Sequence, residues 1–244
     1  MQLNDILYTP LDVVEKPEFD VGKLQNWLTT HYKPLSQYKD ILSSTKNAAE
    51  KDIKNYPWDL TVAYFKLFND SDPGWLGNFD KEFPELSRYM YECFNLSIED
   101  VGLIVFLPIK QGHTGLGFWH NDTDWYGLRH YFCFESSDTN KLLLRKTKID
   151  YIERPNFKFP LDEEAYLQKE IIECKLLSTK QSFFLNNVRS VHSTYTATPD
   201  VVRIAAFVTG KIGKRKEMQK KIENLVIRSA EKYQEYAILW DNKQ

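Results

Sequence analysis

The chain has 244 residues, 42% hydrophobic and 14% aromatic, with 32 basic against 34 acidic side chains and a net charge of −2. That length suits one elaborated domain, and the aromatic content excludes a disordered chain, because Tyr, Phe and Trp bury large areas. The balanced charge argues against a nucleic-acid or anionic-membrane binder, and with only 3 cysteines, 10 glycines and 10 prolines the chain is neither a disulfide scaffold nor collagen-like.

Segment 1–55 reads as helical and polar. Its start lacks a basic stretch followed by a clean apolar core, so no secretory leader is expected. Val21, Leu24, Trp27 and Leu28 are spaced like one face of a helix, with Asp20 as its N-cap and Pro34 as its end. Residues 36–54 predict a weaker, exposed helix or a loop. The alternating, aromatic and β-branched run 58–68 predicts a strand, and 69–78 a loop by its Asn, Asp, Pro and Gly content. A helix is expected over 80–94, with Pro84 in its first turn and Phe83, Leu86, Tyr89, Met90 and Phe94 on its apolar side.

From 101 to 210 the pattern is mostly β, with strands expected at 101–109, 116–120, 128–135, 141–149, 170–178, 181–187, 192–196 and 201–210. Short strands separated by turn signals suggest a sandwich or barrel. The stretch 214–240 predicts one long helix with Met218, Ile222, Leu225, Val226 and Ser229 along one side. The expected architecture is a single domain spanning 1–244. In it, 1–95 is a mostly helical elaboration, 100–210 the β core and 214–240 a closing helix. No apolar run approaches ~20 residues, so no membrane span is expected. Cys93, Cys133 and Cys174 are too few and too scattered for a disulfide framework or a zinc pair, and read as thiols in a reducing cytoplasm.

Two histidines stand out among five. His31 reads as a solvated helix-end residue, and His113 as part of a glycine-flanked turn. His120 closes a short apolar strand, and Asp122 follows at the position that shares its face in an extended segment. An imidazole and a carboxylate placed so can hold one metal ion. Alone, the His-x-Asp pattern also occurs by chance. His192 opens another predicted strand after the polar loop that follows Leu185. Arg203 then stands inside the apolar run 201–210, and Arg129 enters the run 128–135, with Tyr131 on the same strand face. An arginine in a buried strand is costly without an anion. Either it pairs with a neighbouring Asp or Glu, or it awaits a carboxylate ligand, which its planar fork suits.

The order His-x-Asp, distal His, then Arg on the next strand resembles the Fe(II)- and 2-oxoglutarate-dependent oxygenases. Within them the chain is most similar to the aspartyl/asparaginyl β-hydroxylase-like group, which includes the cis-proline hydroxylases. The resemblance rests on His120, on the step Leu128-Arg129 into a strand, and on the element FFLNNVRSVHSTY (183–195), and it covers roughly residues 100–210. It implies a double-stranded β-helix, or jelly-roll, core with a cupin-like look. It implies that His120, Asp122 and His192 bind Fe(II), leaving adjacent positions for 2-oxoglutarate and O2. Arg203 then takes the distal carboxylate of 2-oxoglutarate. Arg129 assists it or grips a substrate carboxylate, and Tyr131 donates a hydrogen bond there. Asp124 lies at the next same-face position after Asp122 and reads as a partner of the metal site or as solvated. The retained carboxylate argues against halogenation. Trp119, Trp125 and Tyr126 read as barrel-rim packing or as an aromatic wall against substrate.

The expected activity is therefore hydroxylation of an unactivated C–H of an amino acid, an amino-acid derivative or a peptidyl residue, with release of succinate and CO2. A monomer or homodimer acting without nucleic acid or membrane is expected. The alternatives are a cupin-type metal enzyme that does not use 2-oxoglutarate, and a non-catalytic jelly-roll binding protein. Arg203 discriminates the first, since a cupin without a dicarboxylate has no need of a buried arginine there. Binding of iron with 2-oxoglutarate discriminates the second.

Overall fold

The computed structural model describes residues 1–31, 33–34, 58–62, 64–69, 72–75, 78–111, 115–116, 127–133, 140–145, 171–178, 180–186, 190–196, 202–210 and 215–240. These form a mainly β protein of two antiparallel sheets with helices on one side.

A short 3-10 turn (Leu3–Asp5) leads into β1 (Ile6–Pro10), every residue of which is buried. A helical reading of the first segment is therefore corrected here. The run Ile6-Leu7-Tyr8-Thr9 is too short for a helix and too continuously apolar for a surface strand, and it fits a strand covered on both faces. Helix α1 (Val21–His31) forms as its apolar spacing predicts, with Leu24 and Trp27 buried. Asp20 caps it, its Oδ1 accepting the Lys23 N–H at 2.8 Å. Pro34 lies in the two-residue strand β2 (Lys33–Pro34), and 36–54 lies outside the described residues.

Strands β3 (Trp58–Val62) and β4 (Tyr64–Asn69) run along one edge of β6 (Val101–Gln111). Between the pairs Leu60↔Ile109 and Tyr64↔Phe106, four steps on the first chain match three on β6, so one extra residue is absorbed there. The expected loop at 69–78 instead contains β5 (Asp72–Trp75), which among the described residues pairs only with β4. Its Pro73 is tolerated because an edge strand has one side without a ladder. The helical stretch near 80–94 is two helices, α2 (Phe79–Glu82) and α3 (Pro84–Glu92), with Pro84 opening the second. Asn78 and Asn95 adopt positive φ at the start of α2 and beyond the end of α3, a conformation Asn accepts better than most residues.

The remaining strands are β7 (Gly115–Leu116), β8 (Gly127–Cys133), β9 (Asn140–Arg145), β10 (Ile171–Cys174), β11 (Ser182–Leu185), β12 (Val191–Thr196), β13 (Val202–Gly210) and β14 (Ile238–Leu239). The large sheet has the order β14-β1-β11-β8-β13-β6-β3-β2, with β4 also on β6; the small sheet is β10-β9-β12-β7. Helix α4 (Arg215–Lys232) ends well short of Trp240, correcting the expected 214–240 helix. Backbone turns at Tyr233–Ala237 stop it, and the chain then joins β1 as β14, with the Trp240 N–H donating to the Asp5 carbonyl at 2.7 Å.

Two cores follow. The first lies between the helices and one face of the large sheet, and brings together Leu24, Trp27, Phe79, Met90, Phe184, Val208, Ile222 and Val226. Trp27 meets Phe79 edge-on at 5.2 Å. The second lies between the sheets and joins Leu7, Tyr8, Phe183 and Leu185 of the large sheet to Leu142, Leu144 and Cys174 of the small one. No helix among the described residues is long and apolar enough to cross a membrane.

Candidate metal centre

His192 is the one expected metal ligand among the described residues, and it is 3% exposed. It stands on β12 opposite Leu144 of β9, a fully buried member of the core between the sheets. Residues opposed across a ladder share a face, so His192 belongs to the inward face of the small sheet.

The approach to His192 is tied down by backbone bonds. As β11 ends, the Asn186 N–H donates to the Leu7 carbonyl at 2.9 Å, and Asn186 Nδ2 donates to the Ile6 carbonyl at 3.3 Å. The Ser190 N–H and Oγ both donate back to the Asn186 carbonyl, at 2.9 and 2.6 Å. His192 Nδ1 then lies 3.3 Å from the Ser190 carbonyl oxygen. A carbonyl can only accept, so Nδ1 carries the proton in this bond, and in a neutral ring Nε2 would then be the unprotonated nitrogen. This donor chemistry fits a divalent metal, which takes a neutral imidazole through one nitrogen while the other donates to an acceptor.

Arg129, Tyr131 and Arg203 are placed by register. Arg129 stands opposite Phe183 on β11 and Phe207 on β13, Tyr131 opposite Ala205, and Arg203 opposite Cys133 and Ile109. All three positions fall on the face of the large sheet that carries Phe183 and Leu185. Phe183 belongs with Leu144 to the core between the sheets, so these positions and His192 occupy the two faces turned toward one another. Cys174 shares that interior. Burial, and then the neighbouring Glu173 charge, push its thiol well above the ordinary range, which favours the protonated form.

His120, Asp122 and Asp124 lie outside the described residues, as do His113, Trp119, Trp125 and Tyr126. The strand leading toward them is described. β7 pairs antiparallel with β12, Gly115 opposite Thr196 and Leu116 opposite Tyr195, so the chain at Leu116 travels along β12 in the direction of His192. Among the described residues, no three His, Cys, Asp or Glu side chains gather as a metal-binding group. Asn186 and Ser190 fall in the sequence element 183–195 that carries the resemblance, without a role of their own read from it. Their signal is the switch to small polar residues directly after the apolar run Phe183–Leu185. Comparison with protein-family models gave no match, and comparison with curated proteins gave none either.

Proposed function

We propose that the chain is an Fe(II)- and 2-oxoglutarate-dependent dioxygenase that hydroxylates an unactivated C–H of an amino acid, an amino-acid derivative or a peptidyl residue. The observation that carries this reading is the antiparallel pairing of β7 with β12. It sends the chain from Leu116 toward His192, and His120 follows four residues later. Four residues span at most about 14 Å, so this length of chain is compatible with His120 near the strand that carries His192.

The strand order supports a double-stranded β-helix as the core. β6, β8, β11 and β13 are consecutive in the large sheet as β11-β8-β13-β6, and β7, β9, β10 and β12 form the small sheet as β10-β9-β12-β7. In a two-sheet jelly roll the chain distributes its strands between facing sheets in this way and leaves a ligand space between them. Helices α1, α2, α3 and α4 then brace the outer side of the large sheet. The unbridged Cys93 and Cys174 suit a reducing cytoplasm.

In this reading His120, Asp122 and His192 hold the iron through two imidazoles and a carboxylate. Bound iron, with 2-oxoglutarate and O2, supplies the oxidising chemistry: the co-substrate loses CO2 to become succinate, one oxygen atom enters the succinate carboxylate and the other enters the substrate C–H. The chain's own part is to bind, orient and exclude water. The Ser190 carbonyl holds the His192 ring with Nε2 as its lone-pair atom. Arg203 grips the distal carboxylate of 2-oxoglutarate, with Arg129 beside it or on a substrate carboxylate, and Tyr131 donates a hydrogen bond. The apolar wall of Phe183, Leu142 and Leu144 limits water on one side of the space.

The test is anaerobic addition of Fe(II) and 2-oxoglutarate, followed by a screen of amino acids and peptides for succinate formation. A weak visible charge-transfer band and substrate-dependent succinate are expected. Absence of both sinks the reading.

A further inference from the structure

We infer that Asn186 is a positioning residue that fixes the proton of His192, acting through Ser190. Five hydrogen bonds lead from β1 to the His192 ring. The Asn186 backbone and side-chain amides are held by two consecutive carbonyls of β1, Leu7 at 2.9 Å and Ile6 at 3.3 Å. The Asn186 carbonyl receives both Ser190 donors, at 2.9 and 2.6 Å. The Ser190 carbonyl receives His192 Nδ1 at 3.3 Å. Asn186 and Ser190 are fully buried, so each bond is shielded from competing water.

The chemistry gives this chain of bonds a purpose. A neutral imidazole can place its proton on either nitrogen, and only the nitrogen without it can bind a metal. If the Ser190 carbonyl were displaced, the ring would lose an acceptor that favours Nδ1–H. The site would then sort between two tautomers and two ring orientations before each binding event. Anchoring the carbonyl to β1, which is itself paired on both sides by β11 and β14, ties the ring's state to the ladder of the large sheet. The same clasp sets where β12 begins, and so the register that brings His192 opposite Leu144.

The consequence for metal binding rests on the reading of His192 as a ligand; the consequence for the ring proton does not. The experiment separates the two. Full-length protein with 15N-labelled histidine is prepared without metal, the His192 signals are assigned by their loss in His192→Gln, and the tautomer is read from the ring nitrogen shifts at a pH where the ring is neutral. Co(II) titration gives the affinity of the same samples. In the unsubstituted protein His192 is expected as Nδ1–H. In Asn186→Ala the Nε2–H form should appear, and Co(II) affinity should fall about 10-fold or more. Asp100→Asn, which loosens a distant ion pair, should leave the tautomer unchanged, as a role limited to general stability would not predict. If Asn186→Ala does not fold, Asn186→Asp and Ser190→Ala carry the measurement, since one removes the donor to Ile6 and the other the 2.6 Å bond. A folded variant whose His192 remains wholly Nδ1–H overturns the positioning role, whatever its Co(II) affinity. An unsubstituted protein that keeps Nδ1–H, changes it on substitution and yet binds no Co(II) upholds the role and overturns the metal reading.

Discussion

Leu144 and His192 face one another across the β9–β12 ladder, a fully buried leucine beside a histidine 3% exposed. The pair puts a hydrogen-bonding ring on the apolar wall between the sheets, where a polar group without partners would be costly.

His192→Ala removes the ring and its bond to the Ser190 carbonyl but leaves the strand intact. Iron binding should be abolished, while stability should fall by only about 1–3 kcal/mol, the cost typical of an unmade buried hydrogen bond. His120→Ala should abolish iron binding with a smaller effect on stability. Iron stoichiometry after anaerobic loading, read beside thermal melts, checks both. Wild-type iron content in the two variants would remove these histidines from the metal site.

Arg203 stands between Ile109 and Cys133 in the middle of three paired strands. Arg203→Ala should mainly weaken 2-oxoglutarate binding, by about 2–5 kcal/mol for the loss of a charge-assisted bidentate pair. Arg203→Lys should also be impaired, because a point charge does not reproduce the fork. Titration of 2-oxoglutarate into the anaerobic Fe(II) protein measures this. Unchanged affinity in both variants would leave Arg203 with an internal partner instead.

Where period and length agreed, the fold was legible in the sequence. Leu24 and Trp27 lie on the buried side of α1, Asp20 caps it, and Met218, Ile222, Val226 and Ser229 form the buried side of α4. β1 and β5 were missed for different reasons. β1 is a short strand buried on both faces, so Ile6–Thr9 carries no alternation to distinguish it. β5 contains Asp-Pro-Gly, which reads as a turn, and only its edge position next to β4 lets it pair. The end of α4 was misplaced because Ala237–Trp240 stays apolar past the turn that begins at Tyr233, and only pairing with β1 makes it a strand. At the candidate site, residue types carried the reading of His192 and Arg203. The clasp of Asn186 and Ser190 could not be read, since its acceptors Ile6 and Leu7 lie at the other end of the chain.

Asp100 fastens α4 to the start of β6, taking two bonds of 2.7 Å from Lys221 and two more from the Ser97 N–H and Oγ. Burial by itself raises the Asp100 carboxyl, but the hydrogen bonds from Lys221 and Ser97 outweigh it and hold the group below the ordinary carboxylate range. The unfolded chain therefore takes up this proton at a higher pH than the folded one. The stabilisation is full above about pH 4, and it is lost as pH falls from there through the lowered folded value. Asp100→Asn should reduce stability at neutral pH and flatten the acid limb of the stability curve. Denaturant melts from pH 7 to pH 2.5 on both proteins give the comparison, and an unaltered acid limb would refute the assignment.

The final prediction decides which carboxylate holds the metal. Asp122 and Asp124 would share one face if the segment after His120 were extended, so spacing alone leaves both as candidates for the same ion. The resemblance favours Asp122, because His-x-Asp is the usual order in the oxygenase family. A carboxylate in that role supplies the negative charge that complements two neutral imidazoles, and it fills the position a halide would otherwise take. Asp122→Ala should therefore lose most hydroxylation, and Asp122→Gly should show little halogenation in chloride, because in this reading the site takes a carboxylate rather than a halide. Asp124→Ala should retain measurable activity, reduced only as far as Asp124 orients a ligand through a hydrogen bond. Succinate and hydroxylated product, measured at saturating iron for both alanine variants, separate the cases. An inactive Asp124→Ala beside an active Asp122→Ala would move the ligand to Asp124. Full activity in both would leave a site of two histidines without a carboxylate, and the facial-triad reading would fail.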